Sequence, residues 1–217
     1  MIFMAEKVRT INKEAWNPKT LLGQKVKNGE ITTLEEIIGT GRPVLESEIS
    51  DVLFPDMETE TLQIKSTQRV TDSGKRTKFR VVSVIGDRKG HVGLGVGKCD
   101  ELKPAIDYAV RNAKKHMITV KMGCGSWECK CSVKHSVNIR SKGKEGSTLV
   151  NLIPAPRGLG LAANDVIKKV LNMAGVKDVW SSTLGGANVY NMASATIKAL
   201  ENLSAQRPPR EGEGEGS

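Results

Sequence analysis

Aromatic residues are scarce in this chain: three Phe, three Trp and two Tyr make up 4% of its 217 residues. Proteins that read single strands by sequence stack bases on such rings, so that mode of recognition is disfavoured. Histidine is scarcer still. His91, His116 and His135 are the only three, and none stands in a nucleophile or metal-hydrolase motif, which argues against an enzyme. No apolar run approaches the ~20 residues of a membrane helix. The opening Met1-Ile2-Phe3-Met4 meets Glu6 and Lys7 at once, too soon for a signal core, so no membrane partner is expected. Four cysteines without a secretory leader suggest free thiols or metal ligands, not disulfides.

What is present is positive charge, and it is concentrated. Residues 1–60 hold 7 Lys/Arg against 11 Asp/Glu, residues 61–145 hold 19 against 7, and residues 146–217 hold 7 against 6. A cationic middle segment attracts a polyanion. Its cations fall on predicted loops and helix ends: Arg69, Lys75, Arg76, Lys78 and Arg80 bracket one turn, and Arg88 and Lys89 tip the next. Arg111, Lys114 and Lys115 close a helix, and Arg157 lies in a later loop. Such residues bridge phosphates of an RNA recognised by its fold.

Pattern changes divide the chain into an acidic extension (1–61), an α+β unit (62–123), a cysteine-containing connector (124–134), a second α+β unit (135–203) and a polar tail (204–217) expected to be disordered. In the extension, Leu34, Ile37 and Ile38 predict one helical turn, and Val44, Ile49, Val52, Leu53 and Phe54 another. Strands are expected over 63–70, 79–85 and 91–98. In the last of these Val92, Leu94 and Val96 alternate with Gly93, Gly95 and Gly97. The apolar face should be core, while the bare face admits a packed helix or RNA. A helix over 101–117 carries Ile106, Ala109, Val110, Ala113 and Met117 on its buried stripe. Further strands are predicted at 135–140, 148–153 and 179–180, and helices at 165–174 and 188–203.

Two motifs invite chemistry. Gly158-Leu159-Gly160-Leu161-Ala162-Ala163 fits G-x-G-x-x-A ahead of a helix, but Pro154 and Pro156 interrupt the approach and no second βαβ half follows. Cys124-x4-Cys129-x-Cys131-x3-His135 gathers four soft ligands, enough for one structural zinc ion; four unliganded side chains are the other reading. Cys99 reads as a buried small hydrophobe.

The segments DSGKR (72–76), FRVVSVIGDRKGHVGLGVG (79–97), AIDYAVRNAKKH, GCGSWEC, LIPAPRGLGL and LNMAGVKDVWSSTLG occur in this order and resemble the universal small-subunit ribosomal protein five family. The spellings DSGKR and GCGSWEC resemble its archaeal members. The resemblance implies a double-stranded-RNA-binding-like domain followed by a two-layer α+β domain with a left-handed βαβ crossover. It implies a cytoplasmic constituent of the small ribosomal subunit, bound to small-subunit ribosomal RNA. It also implies a place beside small-subunit ribosomal protein four, near messenger RNA where that enters, with a part in translational accuracy. Residues 72–76 would reach toward head-region RNA, and Pro156, Arg157 and Gly158 would form the second domain's loop. A free RNA-binding or chaperone protein is the alternative.

Overall fold

The computed structural model of the chain describes residues 6–7, 16–39, 41–129, 131 and 133–205. The fold is α+β, in two compact units. One comprises Met1–Thr119 with Lys169–Gly175, the other Val120–Lys168 with Val176–Ser217.

The first unit is built on a five-stranded sheet in the order β1 (Glu6–Lys7), β2 (Glu58–Thr71), β3 (Gly74–Gly86), β4 (His91–Cys99), β5 (Met117–Thr119), antiparallel throughout. The first long strand, expected from residue 63, begins at Glu58. Glu58–Thr61 pair with Ser83–Gly86 across a bulge between Thr61 and Gln63, and their charges break the alternation that marks a strand. Among its described residues the acidic extension contains three helices, α1 (Leu21–Asn28), α2 (Leu34–Gly39) and α3 (Glu48–Leu53). Of these α2 and α3 were legible. The sequence reading missed α1, whose two buried apolar side chains, Leu22 and Val26, are a thin signal. Thr20 caps it by accepting the Gly23 N–H at 3.1 Å. Trp16, Leu22, Val26, Ile37 and Ile49 form one buried cluster, and Leu34 and Met57 join Ile85, Ala113 and Met117 in another. The extension is therefore a helical layer with its own core, continuous with the sheet.

The glycine face of β4 takes a helix, α4 (Leu102–Lys115). A Cβ on Gly93, Gly95 or Gly97 would collide with the carbonyl oxygen of Ala113, Ala109 or Ala105. Those three alanines are fully buried, so glycine on one element and alanine on the other bring the two backbones close. On the opposite face, expected to be core, Val92 is buried but Leu94 and Val96 are only partly so. Met117 leaves the helix and pairs with Gly93 in β5. Cys99 is half-buried, packed beside Phe79 and Ile106.

The second unit has a short ribbon, β6 (Met122–Gly123) with β7 (Ser136–Val137), then β8 (Ser141–Glu145), β9 (Thr148–Pro154), β10 (Leu161–Ala162), the start of helix α5 (Asp165–Ala174), whose residues 169–174 count with the first unit, β11 (Val179–Leu184) and helix α6 (Val189–Ala205). The four-stranded order is β10-β11-β9-β8, with β10 and β11 parallel on either side of α5 in sequence, a βαβ unit. Strand β8 escapes a hydrophobicity search because Ser-Lys-Gly-Lys-Glu is wholly non-apolar. It is held because Gly143 lets α6 approach, where a Cβ would strike the Ala195 carbonyl. The Asn164 side chain accepts the Val166 N–H at the start of α5, and Gly175 at φ 86 ends it. Helix α6 continues through Ala205, two residues into the expected tail; residues 206–217 and the opening Met1–Met4 lie outside the described residues. No helix among the described residues is long and apolar enough to cross a membrane.

Candidate RNA interface and cysteine–histidine cluster

Strands β2 and β3 meet at Asp72-Ser73, with Thr71 opposite Gly74. From Ile64 to Val70 and from Asp72 to Arg76 every residue is exposed, so this end of the hairpin projects. The register sorts its side chains by face. Lys65 lies opposite Arg80, which lies opposite Lys98 on β4, a row of three cations across three strands. On the same face follow Thr67 opposite Lys78 and Arg69 opposite Arg76. Like charges placed directly opposite repel. One carboxylate, Asp100, approaches Arg76 (3.9 Å) and Lys78 (3.3 Å). Lys65, Arg69 and Lys98 make no ion pair among the described residues. An open concavity of about 580 Å³ is lined by Arg69, Arg76, Lys78 and Lys98 among others. Sequence reasoning missed Lys65 and Lys98. The cross-strand register, once the turns at 72–73 and 87–90 are fixed, is the signal that finds them.

The remaining expected cations are not gathered with these. Lys75 faces Val70, on the other side of the ribbon. Arg88 and Lys89 sit at the far end of β3, a 13-residue strand, hence roughly 40 Å from the hairpin tip. Each has an acid: Arg88 meets Glu58 at 2.6 Å, Lys89 meets Asp56 at 3.5 Å. Lys114 is corrected outright. It is only 7% exposed, and its ammonium lies 2.5 Å from Asp51 of α3, because the extension covers that face of α4. Ser50 secures the same contact, donating to the Lys114 carbonyl at 2.6 Å. Burial holds the Asp51 carboxyl above its ordinary value despite this cation. Arg111 is exposed beside the Tyr108 ring, and with Lys115 it borders a second concavity of about 380 Å³ shared with Glu46 and Glu48. Arg157 is exposed on a loop of the second unit. The histidines of the first unit are structural: His91 Nδ1 lies 2.6 Å from the buried Asp87 carboxylate, and His116 Nδ1 lies 2.9 Å from the Asn112 carbonyl.

In the second unit the connector closes on itself. One ligand atom from each of Cys124, Cys129, Cys131 and His135 lies within 4.8 Å of all the others. Cys129 and Cys131 sulfurs are 3.1 Å apart, and His135 Nε2 is 3.1 Å from Cys131 and 3.8 Å from Cys129. The sulfur–sulfur hydrogen bond, together with the Arg157 backbone N–H, draws Cys129 down to about 6. The same sulfur contact, with loss of hydration, pushes Cys131 up to about 11. On its far side His135 Nδ1 meets Asp178 Oδ2 at 2.8 Å, both residues being buried. Asp178 Oδ1 accepts the Gly158 and Gly160 N–H groups at 3.1 and 2.8 Å. This network removes the dinucleotide reading: the loop amides that would meet a phosphate are already held by a carboxylate.

The fold and these sites define a two-unit α+β protein with a cationic hairpin and a Cys3His knuckle. The family model described as "Ribosomal protein S5, N-terminal domain" matches residues 57–121, and "Ribosomal protein S5, C-terminal domain" matches residues 143–209. The chain is 48% identical over 197 residues to the small ribosomal subunit protein uS5 of Methanocaldococcus jannaschii, covering 90% of this chain and 91% of that protein. It is 46% identical over 195 residues to the uS5 of Haloarcula marismortui, covering 89% and 92%. The chain belongs to the ribosomal protein S5 (uS5) family, whose members are structural ribosomal proteins and not enzymes. These relatives are archaeal, as the DSGKR and GCGSWEC spellings implied.

Proposed function

We propose that the chain is a structural constituent of the small ribosomal subunit that grips ribosomal RNA through one face of the β2–β3 hairpin. The observation that carries this is the row Lys65–Arg80–Lys98 beside the facing pair Arg69–Arg76. Like charges at directly opposed positions repel, and phosphates laid against them would relieve that repulsion. A-form RNA is recognised by backbone shape, which suits a rigid ribbon of cations with few aromatic rings. Arg111, Lys115 and Arg157 supply further phosphate contacts; Lys75 extends the tip, and Arg88 and Lys89, each already near an acid, contribute less. Replacing Arg69 and Arg76 by Glu should weaken incorporation into small subunits far more than replacing Arg88 and Lys89. Equal incorporation of both double variants, measured by gradient sedimentation and quantitative mass spectrometry, would refute the assignment.

The family resemblance supports a cytoplasmic location within the subunit, beside small-subunit ribosomal protein four and close to where messenger RNA enters. There the protein would contribute to accuracy by bracing RNA that moves in decoding. A miscoding reporter in the Arg69/Arg76 variant tests this, and unchanged accuracy in fully assembled subunits counts against it. The alternative, a free RNA chaperone, predicts a light pool in the gradient instead of stoichiometric co-migration.

The knuckle is proposed to hold one structural zinc ion. Donors within 4.8 Å of one another suit a tetrahedron with Zn–S near ~2.3 Å and Zn–N near ~2.0 Å. The buried carboxylate on His135 Nδ1 fixes the ring with Nε2 toward the sulfurs, the usual outer support of a zinc histidine. Four protein ligands leave no open position, so the metal's contribution is folding energy. Metal analysis should find one zinc per chain, lost in the Cys129→Ser, Cys131→Ser variant. An unchanged zinc content in that variant rules the site out.

A further inference from the structure

The knuckle also displays something. Trp127 is 86% exposed, more than any other large apolar side chain among the described residues. Its position explains why: the Cys129 N–H returns to the Ser126 carbonyl at 3.3 Å, closing a turn with Trp127 at its corner. No ring contact or cation–π contact engages it among the described residues. The turn is anchored from both ends, by Cys124 before it and Cys129 after it. Two more exposed apolar side chains rise from segments tied to the same cluster. Val133, 52% exposed, lies between Cys131 and His135. Leu159, 44% exposed, lies in the loop whose N–H groups bind Cys129 (from Arg157) and Asp178 (from Gly158 and Gly160).

We propose that Trp127 is a stacking platform for one unpaired nucleotide, with Arg157 and Lys134 taking the adjoining phosphate. Both cations are exposed and belong to the segments the cluster ties together, and Glu128 is the one acid in the turn. A flat, 86% exposed ring at a turn corner flanked by cations matches a base and its phosphate better than an apolar peptide, which needs a pocket for its side chains. Stacking on a single ring tolerates any base, so the scarcity of aromatics elsewhere is no obstacle. The ring sits on a short, doubly anchored turn, so little freedom is lost when it is covered. The proposal extends the RNA-binding reading to a second place on the chain but uses none of the hairpin residues, so the two can fail separately.

The test uses the full-length chain and an end-labelled oligo-adenylate, followed by anisotropy at moderate salt, with a blunt RNA duplex as comparison. Trp127→Ala should weaken oligo-adenylate binding roughly tenfold and leave duplex binding unchanged, while Trp127→Tyr restores most of the loss. The Arg69→Ala, Arg76→Ala variant should lower duplex binding and still show the Trp127 effect on the single strand. Oligo-adenylate affinity unaltered by Trp127→Ala overturns the proposal. So does an equal loss for strand and duplex, which would make the residue a general support. A Trp127→Ala chain that binds the oligonucleotide normally but fails to associate with a purified ribosomal protein would assign the ring to a protein partner instead.

Discussion

Two buried carboxylates of the first unit show how neighbours decide what a charge does. Asp51 and Lys114 have side chains 2% and 8% exposed, so each is tolerated only because the other is there. Lys114→Met strands the carboxylate and should cost about 3–5 kcal/mol, read from the urea midpoint. Adding Asp51→Leu should recover most of that loss, because the pair would give way to apolar packing. Asp87 has the opposite balance. Burial pushes its carboxyl up, but the His91 ring and the Lys89 and His91 N–H groups outweigh that and hold it below 3.8. A lowered folded value means stability that is present above 3.8 and lost as pH falls through that lower value. Urea midpoints followed from neutral pH into acid should therefore drop in the parent, and Asp87→Asn should start lower at neutral pH and fall less steeply. Asp51, raised above 3.8, works in the other direction and gains nothing from the ionised form.

At the scale of elements, the β4–α4 contact is a backbone-to-backbone fit. Gly95 stands against both the Ala109 carbonyl and the Ala113 backbone nitrogen, leaving no volume for a methyl group. Gly95→Ala should destabilise the first unit by at least the ~1–3 kcal/mol typical of overpacking, seen as a lowered thermal midpoint. A midpoint matching the parent would mean α4 can slide, contrary to a tight fit. The same contact shows why the sequence left two readings for the glycine face. Gly93, Gly95 and Gly97 state that something approaches closely, and only Ala105, Ala109 and Ala113, spaced to meet them, say that it is a helix. The extension was harder. Its apolar positions predicted helical turns but did not name what they pack against, whereas in the fold Leu34, Ile37 and Ile49 are buried and Asp51 spends its charge on Lys114.

Across the whole molecule, the charge that composition located at 61–145 divides into unlike parts. Lys65, Arg69 and Lys98 on the hairpin face make no ion pair among the described residues, the turn at 88–89 is partly neutralised, and Lys114 is inside. Affinity for ribosomal RNA fragments should accordingly fall steeply with salt, and Lys65→Ala or Lys98→Ala should each reduce the slope by about one phosphate's worth. Lys114→Met should leave the slope unchanged. The sequence by itself determined the α+β class, the positions of most strands and helices, the cationic middle and the three cysteines and one histidine of the knuckle, because periodicity, turn residues and charge act locally along the chain. Only the tertiary structure decided which cations share a face, which one is buried, and that Asp178, 43 residues from His135, completes the cluster. Those outcomes depend on strand register and on surfaces meeting across long separations, and neither is written in the order of neighbouring residues.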